Sequence, residues 1–488
     1  MSRARLTIAA ALAVLFAAPL ATSAVFADGP TGVNAGGDRV VEQAAAATAA
    51  ACRRSTPASD AQCAGVPFSP AVSEQAIVNF QGSEVSRALA YQYALGDSLP
   101  FGRAPWLGTH NSFNASAQNP TLSELDANQQ LSMADQLRIS IRSLELDVHW
   151  FPSAAGAVPG RGSIDAAKGP VLCHARGEDQ AHAGCTTERL LVDGLAEVAD
   201  WTRAHPGEVV LLYIEDHLSN DTGYGAGADA ITRSLGDLLF TPADLPSAVR
   251  ATTRVKGDCT DLPTQALTRD DVRAAGKQVV VMSSCHAGLG WNTLVFSDAE
   301  RSTYESGPEG YGEDGSCDPR LAPTAGAPAQ FSGDNPRYED VLLRVFEDST
   351  ALSAIEGGKP QRITAGRAAG LARCAVDLVG FDQILPDDGR LAASVWSYAP
   401  GQPAVGGCTV ERADGRWYAA GCHTRHLVAC RTVDGWSVTR PAVPETAASS
   451  HCRGGTYDVP RTGHDAALLQ RALRAAGAAD AWVAAPAA

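Results

Sequence analysis

The stretch SLELDVHW, Ser143–Trp150, decides how the chain is read. Side chains along a strand alternate between two faces. Leu144, Leu146 and Val148 therefore share one face, and Glu145, Asp147 and His149 share the other. The residues around the acids look buried, and unpaired buried carboxylates are costly. The acidic face thus calls for a cation or an arginine partner, with Arg142 and Arg176 as candidates for a purely structural ion-pair network.

Working outward, the same rhythm repeats. APWLGTH reads as a strand, SMADQLRISI as a helix and PVLCHA as a strand. TERLLVDGLAEVADWTRAHPG is an amphipathic helix with Gly207 past its end. EVVLLYIEDHL is a strand, GADAITRSLGDLLF a helix, and GKQVVVMSS, VLLRVFED and CAVDLVGFDQIL are further strands. Buried strands alternating with helices predict a parallel α/β sheet. His110-Asn111, Glu145 and Asp147, His174 and Glu215-Asp216 all fall where strands end. Active sites of (β/α) barrels sit at those carboxyl ends, although an open doubly wound sheet gives a similar pattern.

The chain has 488 residues, with 39 Lys+Arg against 54 Asp+Glu. That length suffices for a large core, and the acidity argues against a nucleic-acid partner. Arg3 and Arg5, an apolar run Leu6–Leu20 and small residues before Ala24 and Ala27 read as a signal peptide over 1–27. The mature protein is thus expected to be secreted, extracellular and monomeric. Its 12 Cys fit disulfides in an exported chain. Cys52/Cys63, Cys173/Cys185 and Cys408/Cys422 are plausible pairs, and the absence of any C-x-x-C argues against zinc. Residues 28–75 read as an N-terminal arm, 76–394 as the catalytic domain, 395–455 as a small Cys-rich module and 456–488 as a C-terminal helix.

Asn111 offers an amide oxygen, and Glu145, Asp147 and Glu215 offer carboxylates. An all-oxygen set suits a hard cation such as Ca²⁺. His110 and His174 then stand as two imidazoles near a metal, suited to acid work and charge stabilisation.

The ordered set GTHNSF, LRISIRSLELDVHW, VLCHA and VVLLYIED resembles the phosphatidylinositol-specific phospholipase C superfamily, and within it the calcium-dependent, secreted bacterial branch. The resemblance implies a distorted TIM barrel holding Ca²⁺ through Asn111, Glu145, Asp147 and Glu215, with His110 and His174 as the catalytic histidines. It implies that Glu145 or Glu215 takes the proton of the inositol 2-hydroxyl, that His174 serves the leaving oxygen, and that His110 holds a phosphoryl oxygen. The substrate would be phosphatidylinositol met transiently at a membrane surface. Lys277 precedes its strand and no lysine follows it, which favours a ring without added phosphates. A glycerophosphodiester phosphodiesterase and a non-catalytic lectin-like adhesion protein are the alternatives. The first has His-Arg where this chain has His110-Asn111.

WSYAPGQPAVGGC, GRWYAAGC and HLVAC resemble the last third of a C-type lectin-like domain. The sugar-binding motif of those lectins is incomplete here, at Gln402-Pro403-Ala404, and the first half of such a domain is absent. A disulfide-stapled cap on the barrel is the other reading. Trp150 and Phe151, before a Gly/Pro-rich loop, are expected to form an apolar rim for lipid contact.

Overall fold

Eight parallel strands follow one another around a ring in chain order. They are β1 (Trp106–Thr109), β2 (Ser143–His149), β3 (Val210–His217), β4 (Val279–Ser283), β5 (Phe296–Ser297), β6 (Thr303–Ser306), β7 (Leu342–Phe346) and β8 (Leu378–Phe381). Each of β1 to β4 pairs with its successor, β6 pairs with β7, β7 with β8, and β8 returns to β1. Among the described residues only the β5–β6 seam lacks ladder bonds, so the fold is a curled (β/α) barrel open on one side. Val171–Leu172 adds an antiparallel pairing to β2, and Leu239–Phe240 a parallel one to β4. The computed structural model describes residues 72–117, 127–150, 169–174, 189–299, 303–308, 311, 341–349, 362–402, 407–433 and 435–485. The signal-like segment, nearly all of the arm, Cys52, Cys63, Phe151, Arg176, Cys185, Pro403 and Ala404 lie outside them.

The strands are buried on both faces, which is why they read as nearly continuous apolar runs. Trp106, Leu211, Val280, Phe296, Leu342 and Leu378 fill the barrel interior. Leu144, Leu146, Val148, Leu212 and Ile214 face outward, against Leu195 and Val198 of a helix at Leu191–Ala204 and Ile231 of a helix at Asp221–Leu235. The floor, at the strand starts, is closed by a helix at Glu84–Leu95 and by Arg269. Arg269 is fully buried, bonds Asp97 and the carbonyls of Pro105 and Tyr93, and lies 3.6 Å over the Tyr93 ring.

The C-terminal region is a second sheet. Its strands are β9 (Cys408–Arg412), β10 (Trp417–Ala420), β11 (His426–Thr432), β12 (Gly435–Val443), β13 (Thr456–Tyr457) and β14 (Asp480–Val483), in the order β10-β9-β14-β11-β12, with β13 on β11. The tail from 456 is therefore more than a helix. Gly463–Ala475 is helical, but β14 then inserts between β9 and β11, because Ala481, Trp482 and Val483 are needed to fill the sheet's core. Cys408–Cys422 and Cys430–Cys452 staple this sheet, and Cys259–Cys285 braces the barrel. Cys173 is also disulfide-bonded. Tyr91, Trp396, Tyr398 and Trp417 pack together where the sheet meets the barrel floor helix. There Gln92 accepts from the Trp396 and Ser397 backbone N–H groups. No helix among the described residues is long and apolar enough to cross a membrane.

Candidate active site

The chain leaves β1 through His110 into Asn111, whose φ is +44°. Asparagine tolerates this left-handed region better than most residues. The turn folds the segment over β2. The Asn111 and Ser112 backbone N–H groups reach Glu145 Oε2 (3.3 Å) and the Glu145 carbonyl (2.9 Å), and Ser112 Oγ accepts from Glu145 N. The Asn111 amide then lies against Asp147, with one of its two terminal atoms 2.8 and 3.0 Å from the two carboxylate oxygens and the other 3.2 Å from His110 Nε2. On β2, Glu145 and Asp147 are 4 % and 5 % exposed. Asp147 stands opposite Glu215 in the β2–β3 ladder. Glu215 is half-exposed and sits 3.2 Å from His217 Nε2.

Burial raises the proton affinity of both carboxylates on β2. Burial pushes Glu145 up to about 7, with His110 opposing and Glu305 and Glu215 adding. Burial, then Glu215 and Glu145, hold Asp147 well above the carboxylate range. Glu215 is instead lowered, by its bond from His217. Among the described residues no Lys or Arg forms an ion pair with Glu145 or Asp147; the one pairing of Glu145 is to His110 at 3.9 Å. Arg142 is spent on Glu208 and on the carbonyls of Leu137 and Ile141. Arg344 pairs with Glu305 at 3.5 Å and lies 4.1 Å over the Tyr213 ring. An oxygen-only set with surplus negative charge fits a divalent cation.

His110 Nδ1 is 3.1 Å from Asp382 Oδ1, at the end of β8. Burial pulls this imidazole down, but Asp382, Glu145 and Asp348 outweigh it and hold the ring well above its ordinary value. Asp382 is the functional residue that sequence reading missed, although the motif VDLVGFDQI contains it. The available signal was the one that singled out Glu215, an acid at the end of an apolar strand. His110, Asp348 and Asp382 bring ligand atoms within 4.8 Å of one another. Asp382, however, also accepts from Ser349 N and Oγ and from Asn128. A carboxylate so occupied serves as a clamp on His110 rather than as a metal ligand. His174 follows Val171–Leu172, placed by the bond from Cys173 N to the Asp147 carbonyl (3.1 Å). Burial and nearby His110 lower its pKa.

All six residues singled out in the sequence are thus at the carboxyl end of the barrel. Trp150 is not a free rim. It is half-buried against the outer core, and a Cβ on Gly223 would lie 3.0 Å from its ring. The helix starting at Asp221 needs that glycine, and the ring fills the space it leaves.

Residues 65–388 match the family described as the Rv2075c PI-PLC-like domain, and the chain belongs to that family. Its barrel is a phosphodiesterase fold of the phospholipase C type. The chain is similar to the uncharacterized proteins Rv2075c and MT2135 from two strains of Mycobacterium tuberculosis. Identity is 36% over 500 residues, covering 97% of this chain and 96% of each relative. Among solved structures it is similar to the phosphatidylinositol-specific phospholipase C of Listeria monocytogenes, at 13% identity and TM-score 0.39, over 63% of this chain and 98% of that one. It is also similar to a Ca²⁺-dependent phosphatidylinositol-specific phospholipase C from Streptomyces antibioticus, at 16% identity and TM-score 0.33, over 61% and 97%.

Proposed function

We propose that the protein is an exported, Ca²⁺-dependent phospholipase C that cleaves phosphatidylinositol at a membrane surface into diacylglycerol and inositol 1,2-cyclic phosphate. The observation that carries this reading is the convergence of Asn111, Glu145, Asp147 and Glu215 with two imidazoles at one barrel mouth. Membership of a PI-PLC-like family supports the reaction class. The basic and apolar N-terminal segment supports export.

Ca²⁺ held by these four side chains would lower the pKa of the inositol 2-hydroxyl and neutralise charge on the phosphoryl group. Glu145 or Glu215 takes the hydroxyl proton. The 2-oxygen bonds to the neighbouring phosphorus while the bond from phosphorus to the diacylglycerol oxygen breaks. Because the attack is intramolecular, orientation supplies much of the rate. His110, fixed by Asp382, turns Nε2 toward a phosphoryl oxygen, and His174 meets the departing oxygen with an N–H. The end of β4 carries Ser283 and Ser284, both bonded to Asp216, while Lys277 at its start bonds the Asp237 carbonyl. That favours a ring bearing hydroxyls rather than extra phosphates.

The test separates lipid-soluble from water-soluble products after incubation with phosphatidylinositol vesicles. Diacylglycerol and a cyclic inositol phosphate are expected. Glycerol 3-phosphate, or no turnover at all, would overturn the reading.

A further inference from the structure

Among the described residues the exposed large apolar side chains are Val78, Val255, Leu289 and Val433. Two of them lie on neighbouring segments at the carboxyl end of β4. Val255 belongs to a short hairpin in which Val255–Lys256 pairs with Cys259–Thr260. Leu289 belongs to the loop at 284–290 that leaves β4. Cys259–Cys285 joins the two segments, and Asn292 Nδ2 donates to the Asp258 carbonyl at 2.9 Å. The loop starts beside the site, because Ser284 N and Oγ both donate to Asp216, the residue after Glu215. Leu289 has φ +53°, between Gly288 at +98° and Gly290 at +85°. The left-handed region suits glycine and asparagine and disfavours leucine. This leucine is 53 % exposed, so burial returns little for that strain. The loop, SCHAGLG, carries no acid in a chain with 54. The stretch SAVRATTRVKGD at 247–258 carries Arg250, Arg254 and Lys256 against Asp258 alone, in a chain of net charge −15. Arg250 bonds the carbonyls of Ala243 and Leu245. Arg254 and Lys256 are exposed and form no ion pair among the described residues.

We propose that Arg254, Val255, Lys256 and Leu289 form a docking patch for an anionic bilayer surface, set beside the barrel mouth. The proposal rests on the reading of the protein as an enzyme that meets its substrate in a membrane. The net charge of the chain repels an anionic surface, so approach needs a local area of opposite sign. The two hairpin cations supply it, within the Debye length over which surface charge acts. Val255 and Leu289 add side chains that leave water for the boundary between headgroups and acyl chains. The loop around Leu289 is fixed by the disulfide and by the bonds to Asp216, so little conformational freedom is lost on contact. Without an acid, it meets lipid phosphates without repulsion. Docking through this patch sets the neighbouring mouth against the headgroup layer, where the phosphodiester lies. Leucine at a position whose backbone favours glycine or asparagine is then a strain kept for contact with lipid.

The test is sedimentation of the full chain with vesicles of phosphatidylcholine alone and of phosphatidylcholine with phosphatidylserine, which is anionic but is not the proposed substrate. The native protein should sediment with the second and much less with the first, and added salt should release it. Arg254→Gln combined with Lys256→Gln should weaken binding roughly 25-fold, about 5-fold for each basic residue lost from an anionic surface. Leu289→Asn suits the left-handed backbone, so its melting temperature should hold or rise. Its binding to the same vesicles should nevertheless fall roughly 5- to 10-fold, the scale of a partly buried leucine side chain. Both variants should match the native protein on soluble short-chain phosphatidylinositol and fall behind it on vesicles. Equal sedimentation of the native protein with the two vesicle types overturns the proposal, as does native-level vesicle binding by either variant. Absence of cleavage of both substrates would count against the proposed function and leave sedimentation to judge the patch.

Discussion

At the scale of single residues, the site balances repulsion among acids against one clamped imidazole. Asp147 is buried, and its ionised form is disfavoured by Glu215 and Glu145. Asp147→Asn removes a ligand charge without changing shape, so two effects of opposite sign are expected. Ca²⁺ affinity should fall in calorimetric titration, and the Ca²⁺-induced rise in melting temperature should shrink. Without Ca²⁺ the variant should melt no lower than the native protein, because a costly buried charge has gone. A lower metal-free melting temperature would mean that the carboxylate itself stabilises the fold. Asp382→Asn tests the clamp. His110 is held well above its ordinary value by Asp382 together with Glu145 and Asp348, so losing that charge should lower its titration midpoint by NMR. The kcat should fall roughly 10- to 100-fold. An unmoved midpoint would show that the other carboxylates suffice.

At the scale of elements, β3, β4, β7 and β8 were legible because strands buried on both faces spell nearly continuous apolar runs, and β2 because its apolar and polar residues alternate. β5, with Phe296–Ser297, and β6, with Thr303–Ser306, are too short to carry a period. The helix at Asp221–Leu235 starts earlier than its pattern because Gly223 and Gly227, which are poor helix formers, admit the Trp150 and Trp291 rings. β14 was hidden as four residues behind a strong helix. Glu145 and Asp147 were readable from strand alternation alone. Asn128 and Asp382 were not, since their contact spans 254 positions and amides follow no periodic rule. Arg269 belongs to the same class of buried, unpatterned residue. Arg269→Met leaves Asp97 and two carbonyls at the barrel floor short of a donor. A loss of about 3 kcal/mol or more is expected in urea unfolding, the scale for breaking a buried charged pair. A loss well under about 1 kcal/mol would mean that the floor helix closes the barrel without it.

At the scale of the whole molecule, the C-terminal sheet and the barrel share an aromatic cluster around Trp417, and beneath it lies Glu411. Trp417 Nε1 donates to Glu411 Oε2 at 3.1 Å. Burial lifts this carboxyl to about 8, only partly offset by that bond. In the unfolded chain Glu411 ionises near 4.5, so between 4.5 and about 8 the folded protein binds more protons than the unfolded one. Stability should therefore fall as pH rises through that window and level off above it. Glu411→Gln removes the titrating group and keeps the shape, so its urea midpoint should fall less between ~pH 5 and ~pH 9. Equal slopes in the two proteins would place the pH dependence elsewhere.

The central claim is that Asn111, Glu145, Asp147 and Glu215 make the chemistry depend on a divalent cation. It is tested most directly by a phosphorus NMR time course on phosphatidylinositol with the full chain, first in excess chelator and then after Ca²⁺ is restored. The account expects a silent spectrum in chelator and the growth of a cyclic phosphodiester signal once Ca²⁺ is added. Equal turnover in chelator would contradict it.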